Sequence, residues 1–133
     1  MSERAVAIGL KIPDNTAYTA LTTLRRLGVD VTRVERSEIL VLDAAGGADS
    51  LAKAIEADEA IFNPNKHRLT VLDAVAPRSG EVRIAEMGRA GRYVAWRLLD
   101  NAGPVSVDIL RVAAERLLCN PAIEIATYPE ARS

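Results

Sequence analysis

Cysteine, histidine and aromatic residues are nearly missing from this sequence. Cys119 is the single cysteine, so no intrachain disulfide can form and no cysteine cluster can hold zinc. His67 is the single histidine, and any Ser-His-Asp or Cys-His arrangement would have to be built on it. Its neighbours Lys66 and Arg68 place it at an exposed turn or strand start, which points to a structural role. Cys119, between Leu118 and Asn120, reads as a small buried hydrophobe. Aromatics make up 4% of the chain, too few for a base-stacking platform. Positive charge is not in surplus either. Seventeen basic residues against eighteen acidic ones argue against a general nucleic-acid binder, which needs Lys and Arg to displace counterions. No run of about 20 apolar residues could span a bilayer, and none follows Met1-Ser2-Glu3-Arg4. The expectation is a cytoplasmic protein without a signal peptide.

What the chain does have is a 49% hydrophobic composition, normal for a folded protein and too high for disorder. Its core must be built from Ala, Val, Ile and Leu. Its 133 residues allow one domain or two very small ones. Val6, Ile8, Leu10 and Ile12 alternate as a strand with one buried face. Asp14 or Asn15 can cap a helix from Thr16 to Leu27, whose stripe is Ala17, Ala20, Leu21, Leu24 and Leu27 and whose stop is Gly28. Val29 to Asp43 is β-rich, and the polar stretch Arg33 to Glu38 reads as a bend or bulge. After a turn at Asp43–Gly47, Asp49 or Ser50 caps a short helix to about Glu59. Asn63-Pro64-Asn65 turns into a strand at 69–72. Residues 75–81, with Pro77, Ser79 and Gly80, read as a linker. Residues 82–99 read as a hairpin about Gly88–Gly91, with a helix competing for 82–87. Pro104 to Leu118 reads as a helix with proline in its first turn, and Ile123, Ile125 and Thr127 as a last strand.

The two halves align at an offset of 57. Leu42-Asp43 falls on Leu99-Asp100, Ala45-Gly46 on Ala102-Gly103, Asn63-Pro64 on Asn120-Pro121, Thr70 on Thr127 and Ala74 on Ala131. Leu51 would fall on Asp108, so register is not kept inside the helices, but the turn anchors on both sides keep their spacing. We read a partial duplication in which the first unit carries an extra strand and helix in front (residues 5–28) and the second, truncated, has only the hairpin segment 82–91 there.

No residue pattern points to catalysis, a cofactor or a metal. Gly46-Gly47 and Gly88-Arg89-Ala90-Gly91 match no phosphate-binding loop. Asp43, Asp49, Glu56, Asp58 and Glu59 form an acidic stretch, relieved only by Lys53. Arg78, Arg83, Arg89, Arg92 and Arg97 outnumber Glu81 and Glu86 in the hairpin region, which is either a solvated face or a dock for an anionic ligand or an acidic protein.

One stretch carries a resemblance. Ala114-Glu115-Arg116-Leu117-Leu118-Cys119-Asn120-Pro121-Ala122-Ile123-Glu124 resembles the end of the PurS subunit of phosphoribosylformylglycinamidine synthase, and Ala60-Ile61-Phe62-Asn63-Pro64 occupies the same place in the first unit. Arg33-Val34-Glu35-Arg36 keeps the charges of that family's bent strand without its glycine, and Gly91-Arg92-Tyr93 is a fair copy in the second unit. The resemblance implies an α+β, ferredoxin-like antiparallel sheet with helices on one face, in a partially duplicated unit. Residues 1–74 would be a complete unit, 75–81 a linker and 82–133 a truncated second unit packed on the first. It also implies a non-catalytic subunit without cofactor or metal. Such a subunit forms homo-oligomers and helps join synthetase and glutaminase subunits for ammonia transfer in purine biosynthesis. Candidate interaction residues are Arg83, Arg89, Arg92, Asn63 and Asn120. The alternative is an ACT-like small-molecule-binding module, with Ile12-Pro13-Asp14-Asn15 as its ligand loop; the usual glycine three residues after the aspartate is Ala17 here.

Overall fold

In the computed structural model, which describes residues 3–43, 46–89 and 91–129, one antiparallel sheet runs through both halves of the chain. The strands are β1 (Glu3–Leu10), β2 (Arg33–Asp43), β3 (His67–Val71), β4 (Glu81–Glu86), β5 (Arg92–Asp100), β6 (Gly103–Pro104) and β7 (Glu124–Thr127). Their order is β3-β1-β2-β5-β4-β7, with the two-residue β6 beside β5. The helices are α1 (Asn15–Arg26), α2 (Ala48–Glu56) and α3 (Val107–Ala113), the last continuing as a π-helical turn over Ala114–Leu118. The second set of strands therefore does not stack on the first. It extends the same sheet through the β2–β5 pairing.

Local chemistry explains the helix ends. The Asp14 carboxylate accepts from the N–H groups of Thr16 (3.0 Å) and Ala17 (3.1 Å), capping α1. Gly28, at φ +87°, follows its C-terminus. Three expectations need correction. The cap of α2 is Gly47, at φ +88°, and not Asp49 or Ser50. Pro104 lies in β6, and α3 starts after Ser106, whose hydroxyl accepts from the Ile109 N–H. Arg33 to Glu38 is no bend but the first half of β2. Its polarity is tolerated because its charges find partners: Arg33 with Glu35, Arg36 with Asp14 and Glu38 with Arg92.

Strand register assigns the two faces. Val6, Ile8 and Leu40 pack with Leu51 and Ile55 of α2. Val82, Ile84 and Leu98 pack with Leu24 of α1 and with Leu110, Ala113 and Ala114. All six strand residues lie on one face, so the helices share one side of the sheet. On the other side, the connector between β3 and β4 crosses the small residues Ala5, Ala7 and Ala95, and Leu72 closes a cluster over them with Ile39.

The connector is fastened by charge. Glu81, fully buried, accepts from the Arg78 N–H (2.9 Å) and Arg83 Nε (3.1 Å) on one oxygen, and from Arg78 Nε (3.1 Å) and Nη2 (2.7 Å) on the other. Arg83, 3% exposed, donates onward to the carbonyls of Val75 and Ala76. Arg97 Nε donates to the Ser79 carbonyl at 3.2 Å.

The strand order is palindromic, and the register tells which residues correspond. Val6 and Ile8 correspond to Val82 and Ile84, Leu40 to Trp96, and Leu69 to Ala126. The β3 and β7 strands keep the offset of 57, but β2 and β5 are offset by 56, because a one-residue slip would turn every side chain to the other face. The identity of Leu42 with Leu99 is thus not a structural equivalence. Leu42 corresponds to the buried Leu98. The Asn63 and Asn120 turns correspond in detail. Each side-chain Oδ1 accepts from the N–H two residues on (2.9 and 3.1 Å). Each backbone carbonyl accepts from the N–H groups three and four residues on. Each backbone N–H donates to the side chain four residues on, His67 Nδ1 or Glu124 Oε1. Ala44, Ala45, Ala90 and Ala131 lie outside the described residues.

Replacing Glu81 by Ala leaves two guanidinium groups under the connector without their carboxylate. We expect it to destabilise the fold by about 3–5 kcal/mol in urea unfolding, as for other broken buried pairs. The exposed Glu86→Ala should change stability by less than about 0.5 kcal/mol. Equal, small effects of the two would show that the connector is not fastened this way.

Candidate functional site

The palindrome has an axis, and the candidate site lies on it. Glu38 and Val94 face each other where β2 and β5 meet and correspond to one another. Arg36, opposite Trp96, corresponds to Arg92, opposite Leu40. All four point to the helix side. A repeat with both leading helices would cover this place twice. Here the second unit passes from β4 to β5 through a short turn, so α1 has no counterpart. The place it would cover is open, and Leu42 and Val94 are 37% and 38% exposed there.

The result is a cleft of about 290 Å³ lined by Ile8, Leu10, Asp14, Arg36, Glu38, Ile61, His67, Arg92 and Val94, among others. Three places bring its polar groups together: the capped start of α1, the first residue of β3 and the centre of the sheet. Arg36 holds Asp14 with two parallel bonds, Nε to Oδ2 at 3.0 Å and Nη2 to Oδ1 at 3.2 Å. It also lies over the Trp96 ring, 5.9 Å from the centroid. Arg92 Nε donates to Glu38 Oε1 at 2.6 Å. His67 Nδ1 accepts from the Asn63 N–H at 2.9 Å, which leaves the ring proton on Nε2, and the ring lies 6.0 Å from that of Phe62. Burial pushes the Asp14 carboxyl up, but the Arg36 hydrogen bonds and charge and the Ala17 and Thr16 N–H groups outweigh it, holding the group below its ordinary value. The cleft is thus built of two arginine–carboxylate pairs and one neutral-tautomer imidazole. It can orient a small polar ligand through the exposed half of Arg92 and the His67 Nε2–H.

The residues singled out from sequence are dispersed. Arg92 is in the cleft. Arg83 is not on a docking surface at all: it is buried beneath the connector, where Glu81 and two carbonyls take its donors. Arg89 is exposed on the β4–β5 turn, 3.7 Å from Glu86. Asn63 and Asn120 spend their side chains on their own turns. The basic hairpin is therefore largely neutralised from within. Arg78 and Arg83 share Glu81, Arg92 has Glu38 and Arg97 approaches Glu35 at 3.7 Å. Cys119 is half-buried, and burial followed by the Glu124 charge pushes its thiol up, away from a reactive thiolate. Sequence reading did not single out Arg36 or Glu38. Their signal was the run of charges inside a β-rich stretch, which demands partners.

No group of His, Cys, Asp and Glu among the described residues could hold a metal ion, and no helix there is long and apolar enough to cross a membrane. Comparison of the chain with protein-family models, with curated proteins and with solved structures finds no match.

Because its folded value is lowered, Asp14 contributes stability that is present above the ordinary carboxylate pKa and lost as pH falls through the folded value. Asp14→Ala should lose both the cap and the Arg36 pair, costing about 1–3 kcal/mol. Asp14→Asn should retain part of the cap and cost less. Urea unfolding at pH 7 and pH 3 checks this. The wild type should lose more stability between the two than Asp14→Asn, and equal losses would sink the assignment.

Proposed function

We propose that this chain is a cytoplasmic, non-catalytic assembly subunit of the PurS type, a partial tandem duplication that holds two ferredoxin-like units in one sheet and helps join synthetase and glutaminase subunits for ammonia transfer in purine biosynthesis. The palindromic strand order carries the reading. A family whose small units associate through their sheets is matched in kind by a chain whose halves already associate so, at β2 and β5. The detailed correspondence of the Asn63 and Asn120 turns supports duplication over chance likeness of turns. The ACT-like alternative needs a ligand-facing Ile12–Asn15 loop. Here both oxygens of Asp14 are engaged by Arg36 and the start of α1, which favours assembly.

Self-association belongs to the same reading. Among the described residues the β7 edge has no neighbour beyond it in the sheet, and Ile125 in it and Ile123 just before it are 53% and 58% exposed. Two copies paired through β7 would cover both edges.

Two measurements test the proposal. Tagged protein should co-purify with the large synthetase and glutaminase subunits in the presence of nucleotide and glutamine; failure to do so under any nucleotide condition overturns the assembly role. Light scattering should give at least twice the 14.3 kDa chain mass, and Ile125→Lys should return it to the monomer. A wild-type monomer at all concentrations would remove the β7 pairing.

A further inference from the structure

The face that the connector crosses is not wholly covered. Beside the connector lies a second concavity, of about 140 Å³, whose lining shares Gly9, Leu10, Arg36 and Ser37 with that of the helix-side cleft. Its floor is the small residues Ala7, Gly9 and Ser37, which leave space above the centre of the sheet. Its rim carries Arg68 and Thr70 from β3, Glu35 from β2, Arg97 from β5 and Arg78 from the connector.

Three arginines, Arg68, Arg78 and Arg97, thus line a space the size of one small anion from the connector face, while the fourth in its lining, Arg36, sends its guanidinium to Asp14 on the helix side. Two are held in place by other bonds. Arg78 is fixed by the buried Glu81, and Arg97 by the Ser79 carbonyl and, more loosely, Glu35. Such anchoring fixes donor direction beforehand, so little side-chain entropy is lost on binding. The third, Arg68, enters no ion pair among the described residues. Ser37 and Thr70 add hydroxyl groups to the same walls.

The palindrome shows that the sheet itself does not require this cluster. At the equivalent place across the palindrome's axis, Ala85 stands for Gly9, Tyr93 for Ser37, Val41 for Arg97 and Ile125 for Arg68. One of two equivalent places in a repeated framework carries arginine where the other carries aliphatic residues.

We propose that this concavity binds the phosphoryl group of a small anionic metabolite, with Arg68 and Arg97 as its principal donors and Ser37 and Thr70 as supporting ones. A dianionic oxyanion matches several guanidinium groups better than a carboxylate does, and its oxygens accept the forked N–H pairs. The volume takes the phosphoryl group and leaves the rest of the molecule to extend along the open face. The proposal does not depend on the assembly role.

Amide NMR titration of the full chain with inorganic phosphate, and separately with glycerol phosphate, at constant ionic strength provides the test. Saturable shifts should centre on Gly9, Ser37, Arg68 and Thr70. Arg68→Ala, which removes an exposed side chain without an ion pair, should keep the fold by its amide spectrum and weaken binding at least about tenfold. Arg89→Ala, on the distant turn, should leave it unchanged. Equal affinity for the two ligands assigns the site to the phosphate group alone, and tighter binding of the ester assigns it to a phosphorylated metabolite. Absence of saturable shifts at millimolar ligand overturns the proposal. So does binding indifferent to Arg68→Ala, or shifts centred on other arginines.

Discussion

Glu81 has no exposed surface, and its two oxygens receive four hydrogen bonds, three from one connector residue and one from a guanidinium group two residues along its own strand. A carboxylate so placed tolerates no rearrangement, because each lost donor leaves charge in a low-dielectric setting. The connector therefore has one path, across the open face and down into β4. Gly80 marks the tightest point of that path. At φ +75°, a Cβ there would stand 2.7 Å from Pro104 Cβ and 2.8 Å from the Leu98 carbonyl oxygen, so only glycine fits. The small residues Ala5, Ala7 and Ala95 follow from the same constraint, since larger side chains would lift the connector away from Arg83. An antiparallel sheet of this size usually leaves one face to solvent or to a partner. Here a stretch of irregular chain covers part of that face.

The helix side obeys a different constraint, the unequal repeat. Two sets of three strands are matched about the Glu38–Val94 pair, but three helices cover them instead of four. Because α1 packs with α3 and the π-helical turn, its hydrophobic stripe belongs to the core of the second half as much as the first. What stays open is the ground the missing helix would have covered. Arg36 and Arg92 occupy equivalent positions there yet have different partners. Arg36 meets the cap residue of α1, whereas Arg92 has no such residue available and turns to Glu38 on the axis. The cleft is thus a consequence of the repeat's incompleteness, filled by charges that satisfy one another.

Much of this was legible in the sequence. Alternating and helical spacing located β1, α1, the 82–99 hairpin and the last strand, because each buries one regular face. The repeat was legible through its turns, since Asn63 and Asn120 must each satisfy the same backbone groups. Its register was not, because identity at Leu42 and Leu99 ignores which face a strand residue takes. Pro104 misled for a comparable reason: proline fits the first turn of a helix and the end of an edge strand alike. The cleft was harder to foresee. Arg36, Asp14 and His67 come from three elements far apart in the chain, and only the sheet order brings them together. Arg83 misled because a basic residue in a hairpin normally faces solvent, and its burial depends on Glu81 and on carbonyls whose positions the sequence does not announce.

The two ends of the sheet resolve what the molecule can offer a partner. The palindrome makes Arg68 the equivalent of Ile125 and Lys66 the equivalent of Ile123. One edge is guarded by charge, a usual defence against unwanted strand pairing, while the equivalent edge is left apolar and exposed. Equivalent backbone thus carries opposite chemistry at the two ends, which a plain repeat would leave alike. The proposed self-association gives the two ends different work. The apolar β7 edge can add strands by backbone pairing, and an isologous contact there closes after two copies, because each copy's other edge repels continuation. In the proposed dimer the charged β3 edge, with Arg68 at the rim of the second concavity, stays open to solution while the β7 edge is covered.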